Sequence, residues 1–302
     1  MRLRAPAPAD APAVHAVLTA RNTADLGVPD HTLEELREQW AQTEFELAAD
    51  AVVVELPDGR LAAYATVDRE GARVAVAPEH ERCGIGARLL QWTEQSQRER
   101  GREQHRQVIV DGNERARELL HSAGYVRGRS YFRMVRRLDQ SPLVLDDAPP
   151  AGAMPAGIRT RPPDPDRDAA ALHALDAAGF AVVPDYRPES LTAFTEEHLG
   201  AHDLDCELSS MAESGGELVG FLLARRWPDR VGYIDLLAVH PDHQRRGLGS
   251  ALLRAAFARF AAAGLREAQL GVASDNPRAV ALYERAGMAP RFRFDTYERS
   301  AR

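Results

Sequence analysis

Tyr233-Ile234-Asp235-Leu236-Leu237-Ala238-Val239-His240-Pro241-Asp242-His243-Gln244-Arg245-Arg246-Gly247-Leu248-Gly249-Ser250-Ala251-Leu252-Leu253 reads as strand, turn and helix. Aliphatic and β-branched residues come first, His240-Pro241-Asp242 breaks them, and Leu252, Ala256 and Phe260 then recur at helical spacing. Gly247 and Gly249 remove two β-carbons where the helix begins. The free N–H groups of its first turn are therefore open to a bulky anion, and the helix dipole favours negative charge there. A pyrophosphate suits that place. The plainer reading is that the glycines let strand and helix pack closely.

The chain has 302 residues, which suits two domains of roughly 150 residues each. Its two cysteines, Cys83 and Cys206, cannot make a disulfide framework, so a reducing cytoplasm is expected. No Cys/His cluster has zinc-ligand spacing, and no metal is expected. The net charge of −7 argues against nucleic acid or an anionic membrane as the main partner. No apolar run approaches the roughly 20 residues that cross a bilayer, and Met1-Arg2-Leu3-Arg4 carries no signal-peptide core. Lysine is absent, so all 38 basic residues are arginine. That excludes a Gly-Lys-Ser/Thr phosphate loop and a lysine nucleophile.

In chain order, Leu3 to Ala5 suggests a first strand, and Val14, Val17 and Leu18 share a helix face. Thr32 with Glu35 makes a capping box for a second helix. A hairpin follows at 51–56 and 61–67, then a strand at 73–77, a helix after Gly84 and Gly86, a strand at 107–110, a helix at 113–123 and a strand at 131–138. Pro142, Pro149, Pro150, Gly152, Pro155 and Gly157 give residues 141–157 a linker's composition. The pattern then restarts at Ile158, with a hairpin expected at Glu207 to Met211 and Glu217 to Ala224. Domains are expected at 1–140 and 158–302.

An offset of 163 residues superposes the halves: over 75–90 against 238–253, nine of sixteen positions are identical, where chance gives about one. The same offset pairs Asn113, Arg115, Ala116, Leu119, Ala123 and Gly124 with Asn276, Arg278, Ala279, Leu282, Ala286 and Gly287. One domain has been duplicated.

Two blocks carry a family resemblance. Leu237-Ala238-Val239-His240-Pro241 runs into Gln244-x-x-Gly247-x-Gly249, and Asn276-x-x-Ala279-x-x-Leu282-Tyr283-x-x-Ala286-Gly287 follows. The chain resembles the GNAT superfamily of acyl-CoA-dependent N-acetyltransferases, twice over. The resemblance implies an α/β (α+β) fold of two GNAT-like domains, each a mixed, mainly antiparallel central sheet flanked by helices. It implies acetyl-CoA as co-substrate and an amine as acceptor. The pantetheine arm would lie along Leu237, Ala238 and Val239, and the pyrophosphate on the N–H groups of Gln244, Arg245, Arg246, Gly247, Leu248, Gly249 and Ser250, with Asn276 nearby. The side chains of Gln244, Arg245 and Arg246 read equally well as solvated turn residues.

Tyr283 matches the family's general-acid tyrosine and is also a candidate core aromatic. Asp235 is the expected base, since period-two alternation would set Tyr233, Asp235 and Leu237 on one face. A structural salt bridge to Arg225 or Arg226 is the plainer reading. At the same offset Tyr283, Asp235 and Gln244 become Leu120, Ala72 and Glu81, so the first half is expected to be silent. Glu189, Glu196, Glu197, Asp203 and Asp205, between Asp185 and Cys206, suggest a cationic acceptor or simply a solvated face. The tandem arrangement is also similar to the mycothiol synthases, from which Tyr233 and Gly271 depart. The rival of another class is a non-catalytic acyl-CoA sensor. A dinucleotide-binding fold is disfavoured, because Leu252 stands where a third glycine belongs.

Overall fold

The computed structural model describes residues 1–139, 154–181, 183 and 186–300. Its first half runs β1 (Arg2–Arg4), α1 (Ala11–Leu26), α2 (Leu33–Ala41), α3 (Leu47–Asp50), β2 (Ala51–Glu55), β3 (Leu61–Asp68), β4 (Gly71–Val76), α4 (Ile85–Glu99), β5 (Gln104–Val110), α5 (Glu114–Ser122) and β6 (Val126–Arg137). The capping box of α2 is formed: the Glu35 N–H donates to Thr32 Oγ1 at 3.1 Å and the Thr32 N–H to Glu35 Oε2 at 2.6 Å. Such reciprocal bonds satisfy donors that the helix itself leaves unpaired. The second half runs β7 (Ile158–Arg161), α6 (Pro165–Phe180), α7 (Leu191–Phe194) leading into a π-turn (Thr195–Leu199), β8 (Ser210–Ser214), β9 (Glu217–Trp227), β10 (Val231–Val239), α8 (Leu248–Ala262), β11 (Glu267–Ala273), α9 (Pro277–Arg285) and β12 (Ala289–Ser300). The strand expected from Glu207 begins only at Ser210, because Asp205 Oδ1 accepts the N–H groups of Glu207 and Leu208 at 3.1 Å and holds them in a turn. Most of the proline-rich 141–157 segment lies outside the described residues.

The compact units do not follow the two sequence halves. One comprises Met1–Tyr131 with Phe292–Arg302, the other Phe132–Arg291. In the first, strand order is β1-β2-β3-β4-β5-β12, and β12 pairs antiparallel with β5 from Phe294 to Ser300. Tyr297 accordingly packs with Leu90, Leu120 and Tyr125. In the second the order is β6-β11-β10-β9-β8-β7, and Met134 of β6 is fully buried among Leu252, Phe257 and Ile234. Apolar side chains near the end of each half thus find their core in the unit built mainly from the other half.

Each sheet is mixed and mainly antiparallel, with helices on both faces. In the second unit Leu172, Leu175, Phe194 and Leu199 cover one face, while Leu252, Ala256 and Phe260 of α8 cover the other. The duplication extends to the backbone: Arg82 and Arg245 share φ of 61°, and Gly84 and Gly247 have φ of 77° and 82°. Gly101 and Gly264, and Gly124 and Gly287, likewise share positive φ.

Gly232 sets the distance between β10 and α8. A β-carbon there would lie 2.3 Å from the Phe260 ring, inside van der Waals contact with a fully buried side chain. Gly232→Ala is therefore expected to destabilise the protein by about 1–3 kcal/mol through overpacking, read as a lower urea midpoint. An unchanged midpoint would show that the ring moves aside freely.

Candidate active site

β10 pairs parallel with β11 only from Val231↔Glu267 to Ile234↔Leu270. Beyond Ile234 it continues antiparallel to β9 alone, from Leu236↔Leu223 to Val239↔Gly220. Asp235 is the extra residue at the register shift between them, a β-bulge. The bulge removes Leu237 from the face that it was expected to share with Tyr233 and Asp235. After it, Leu236 and Ala238 face the α6 and α7 side, and Leu237 and Val239 face α8. The His240 N–H donates to Val219 O at 2.9 Å, toward β9. By two-residue alternation the Leu237 and Val239 N–H groups point the other way, to the edge that β11 has left. Gly179 of α6 crosses this edge closely, since a β-carbon there would come within 3.8 Å of the Val239 nitrogen. That residue went unnoticed in the sequence because it sits in an ordinary helix.

The turn after β10 delivers the helix end that the sequence called for. Gln244 Nε2 donates to Val239 O at 3.1 Å and ties the turn to the strand. Arg245 takes φ of 61° and Gly247, the N-cap of α8, takes 82°. A β-carbon on Gly247 would meet nothing within 4 Å, so space lies open at the helix start. There the N–H groups of Leu248, Gly249 and Ser250 precede the first intrahelical bond, Ala251 N–H to Gly247 O at 3.0 Å. The side chains of Arg245 and Arg246 are exposed beside it. This arrangement fits a diphosphate, with the free edge of β10 leading away from it. Asn276 caps α9, its Oδ1 accepting the Ala279 N–H at 3.1 Å.

Asp235 lies within an ion cluster. Its Oδ2 accepts from His198 Nδ1 at 2.7 Å and from Arg225 Nη2 at 3.0 Å. Burial alone would raise its pKa, but the two cations hold the carboxyl below the ordinary range. It is therefore a weaker base than an isolated aspartate. Burial would lower the His198 pKa, yet Asp235 and Glu189 push it up to about 10. His198 Nε2 lies 3.6 Å from Glu189 Oε1, and Asp203 lies 3.6 Å from Arg225. Arg226 pairs with Asp205 at 2.7 Å rather than with Asp235. Of the acids read as available to a cationic acceptor, Glu189, Asp203 and Asp205 are thus engaged by the chain's own cations, while Asp185 lies outside the described residues. His198 was missed because its role depends on the π-turn that carries it. His198 also groups with Glu189 and Glu197, one possible ligand atom from each lying within 4.8 Å of the others.

Tyr283 is buried on α9. Burial, and then Tyr233 nearby, push its phenol up to about 12, so it is fully protonated at neutral pH.

Residues 169–288 match the model of the Acetyltransferase (GNAT) family, and residues 47–127 that of an Acetyltransferase (GNAT) domain. The chain is 33% identical over 258 residues to a mycothiol acetyltransferase of Streptomyces bingchenggensis, covering 82% of this chain and 78% of that protein. The chain belongs to the GNAT acetyltransferase family. A mycothiol acetyltransferase of Geodermatophilus obscurus is 30% identical over 297 residues, covering 93% of this chain and 91% of that one. A GCN5-related N-acetyltransferase from Sphaerobacter thermophilus shares the fold with TM-score 0.77 at 30% identity, covering 100% of this chain and 96% of that one. A tandem GNAT protein from the clavulanic acid biosynthesis pathway, at 18% identity, superposes with TM-score 0.78 over 100% of this chain and 98% of that one.

As a GNAT protein the chain is an N-acetyltransferase, an acyltransferase whose fold implies acetyl-CoA as co-substrate and an amine as acceptor. No helix among the described residues is long and apolar enough to cross a membrane. Cys83 and Cys206 are free thiols.

The corresponding turn of the first unit is differently furnished. Glu81, three residues before the Gly84 N-cap of α4, is bound by Arg21 at 2.6 Å and by Arg115. Leu120 is buried where the second unit has Tyr283, and Ala72 has no polar group to offer.

The charged state of His198 makes a pH-dependent contribution to stability. Because its folded pKa of about 10 lies above the 6.5 of an ordinary histidine, its contribution is complete below pH 6.5 and is lost as pH rises through 10. Urea midpoints are expected to fall between about pH 7 and 9, and His198→Gln to flatten that slope. A wild-type midpoint independent of pH would contradict the charged pair.

Proposed function

We propose that residues of the second unit catalyse acetyl transfer from acetyl-CoA to a primary amine of a small molecule or peptide, while the first unit is catalytically silent. The observation that carries this reading is the alignment of two features. One is the edge of β10 freed beyond Ile234, and the other is the open helix start at Gly247. The first suits the amide groups of a pantetheine arm and the second suits the pyrophosphate.

In this reading the Val239 N–H polarises the thioester carbonyl. The neutral amine nitrogen attacks the carbonyl carbon, the carbon–sulfur bond breaks, and the sulfur leaves as thiolate. Tyr283 gives its proton to that thiolate and regains one from solvent, while the new amide nitrogen releases its proton to water. A phenol pushed up to about 12 is a weak acid but a fully populated hydrogen-bond donor. Asp235, held low by His198 and Arg225, orders the bulge and its surrounding charges, and the amine enters as the neutral species. In the first unit the corresponding turn carries Glu81, a carboxylate held by Arg21 and Arg115, whose negative charge supports the reading that this unit does not take a cofactor's phosphates.

A second reading, a mycothiol-type acceptor, is favoured by identity to mycothiol acetyltransferases along 78% and 91% of their lengths. Thiol release from acetyl-CoA, measured over an amine panel that includes the amine precursor of mycothiol, separates the two. Tyr283→Phe is expected to lower the best rate by about 100-fold with the acetyl-CoA Kd unchanged. Calorimetry is expected to find a single acetyl-CoA bound per chain. Tight binding without thiol release from any amine would support a sensing protein instead, and two equal binding sites would contradict a silent first unit.

A further inference from the structure

His105 of β5 is fully buried, and among the described residues neither of its ring nitrogens has a hydrogen-bond partner. The proposed mechanism makes no use of it. A neutral imidazole carries one N–H donor and one acceptor nitrogen, whereas an imidazolium carries two donors and a charge. A site without partners therefore holds the neutral ring at some cost and the charged ring at a far greater one. Burial accordingly holds His105 below the ordinary histidine range, with Glu94 opposing and Arg299 and Arg98 adding to the effect.

The ring also lies at a seam. His105 stands directly opposite Arg299 in the antiparallel ladder of β5 and β12, one rung from the end at Gln104↔Ser300. Side chains paired in this way share a face, with β-carbons about 5 Å apart. Two residues along the same face, Gln107 Nε2 donates to Thr93 Oγ1 of α4 at 2.7 Å, so α4 lies over this face. The charged groups acting on the ring are Glu94 and Arg98 from α4 and Arg299 from β12. The titratable phenol of Tyr297, opposite Gln107, shares the face. Glu94 is already engaged: Arg299 Nη2 lies 2.7 Å from its Oε1, and the Tyr125 hydroxyl donates to the same oxygen at 3.1 Å. The Arg299 guanidinium carbon sits 5.0 Å from the centre of the Tyr125 ring, and its Nη1 donates to Ala123 O at 2.7 Å. The arginine that ties down the end of the strand is thus the one that faces the histidine.

We infer that His105 is an acid-sensitive latch of the first unit: when its ring takes a proton from solvent, the end of β12 parts from β5 and the imidazolium reaches water. Its pH dependence runs opposite to that of His198. Because the folded pKa lies below the 6.5 of an ordinary histidine, the contribution of the neutral ring is complete above pH 6.5 and is lost as pH falls from there toward the folded value. The inference stands apart from the catalytic reading, since His105 and the groups around it belong to the first unit.

Hydrogen–deuterium exchange of the full chain tests it, read by mass spectrometry at about pH 7.5 and 5.5 with exchange times scaled for the intrinsic pH dependence of amide exchange. Peptides covering 294–300 are expected to lose protection by about tenfold at the lower pH, the most that one site can give a single unit below 6.5. Peptides of β3 are expected to change little. His105→Leu is expected to remove the loss. Arg299→Met is expected to reduce the ratio between the two pH values, because the proton then meets no facing arginine and finds Glu94 released. His121→Gln is expected to leave the loss intact, although that ring packs edge-on to Tyr297 with centres 5.4 Å apart. Equal protection at both pH values in the wild type, or a loss that persists in His105→Leu, overturns the inference. Should His105→Leu fail to fold, an unreduced ratio in Arg299→Met overturns it instead.

Discussion

A buried carboxylate must be matched by positive charge, and in this chain that requirement organises the second unit. Asp235 is drawn to Arg225 on the neighbouring strand and to His198 on the π-turn after α7. Leaving either cation or the carboxylate unpaired in such a place costs several kcal/mol, so three separate segments are pinned to one point. The same residue is the bulge of β10. Immediately before it the ladder with β11 ends, and the alternation of side chains beyond it is inverted. The free edge, the open helix start and the position of Tyr283 all lie downstream of that single irregularity. A charge cluster of this kind contributes less to net stability than to register. Apolar strands slide in steps of two residues, whereas a carboxylate oxygen clasped by two cations from separate segments tolerates no shift.

Duplication kept the backbone and released the chemistry. The positive φ values at Arg82 and Gly84 reappear at Arg245 and Gly247 because the turn geometry permits few alternatives. Nothing in that geometry demands a phenol on the following helix or a neutral residue at the turn. The first unit accordingly carries Leu120, used for packing, and Glu81, whose carboxylate is held by two arginines. A backbone can be inherited whole while the side chains at its turn diverge. β6 and β12 show a further freedom: each divides its residues between the two compact units, since an apolar strand is indifferent to which core buries it.

Much of this was legible in order along the chain. Thr32 and Glu35 marked a helix start, Gly247 and Gly249 an accessible helix terminus, and the offset of 163 residues a repeat, because each depends on local backbone rules. The strand expected from Glu207 failed where Asp205 captured the following N–H groups, a side-chain bond that competes with a ladder. The facing of Leu237 failed at the bulge, because period-two reasoning assumes one residue opposite one.

The amino-acid sequence by itself determined the duplicated α/β plan, the glycine turn that opens α8, and the loss of the tyrosine and carboxylate from the first half. These follow from residue type and spacing within one element. Only the tertiary structure decided that Asp235 is clasped by His198 and Arg225, that the last strand of the chain pairs with β5, and that the Tyr233 hydroxyl comes to rest over Gly271. The physical reason is that each joins segments far apart in sequence through side chains. Charge pairing, burial and close approach between distant segments depend on where the strands are carried, and local periodicity holds no record of it.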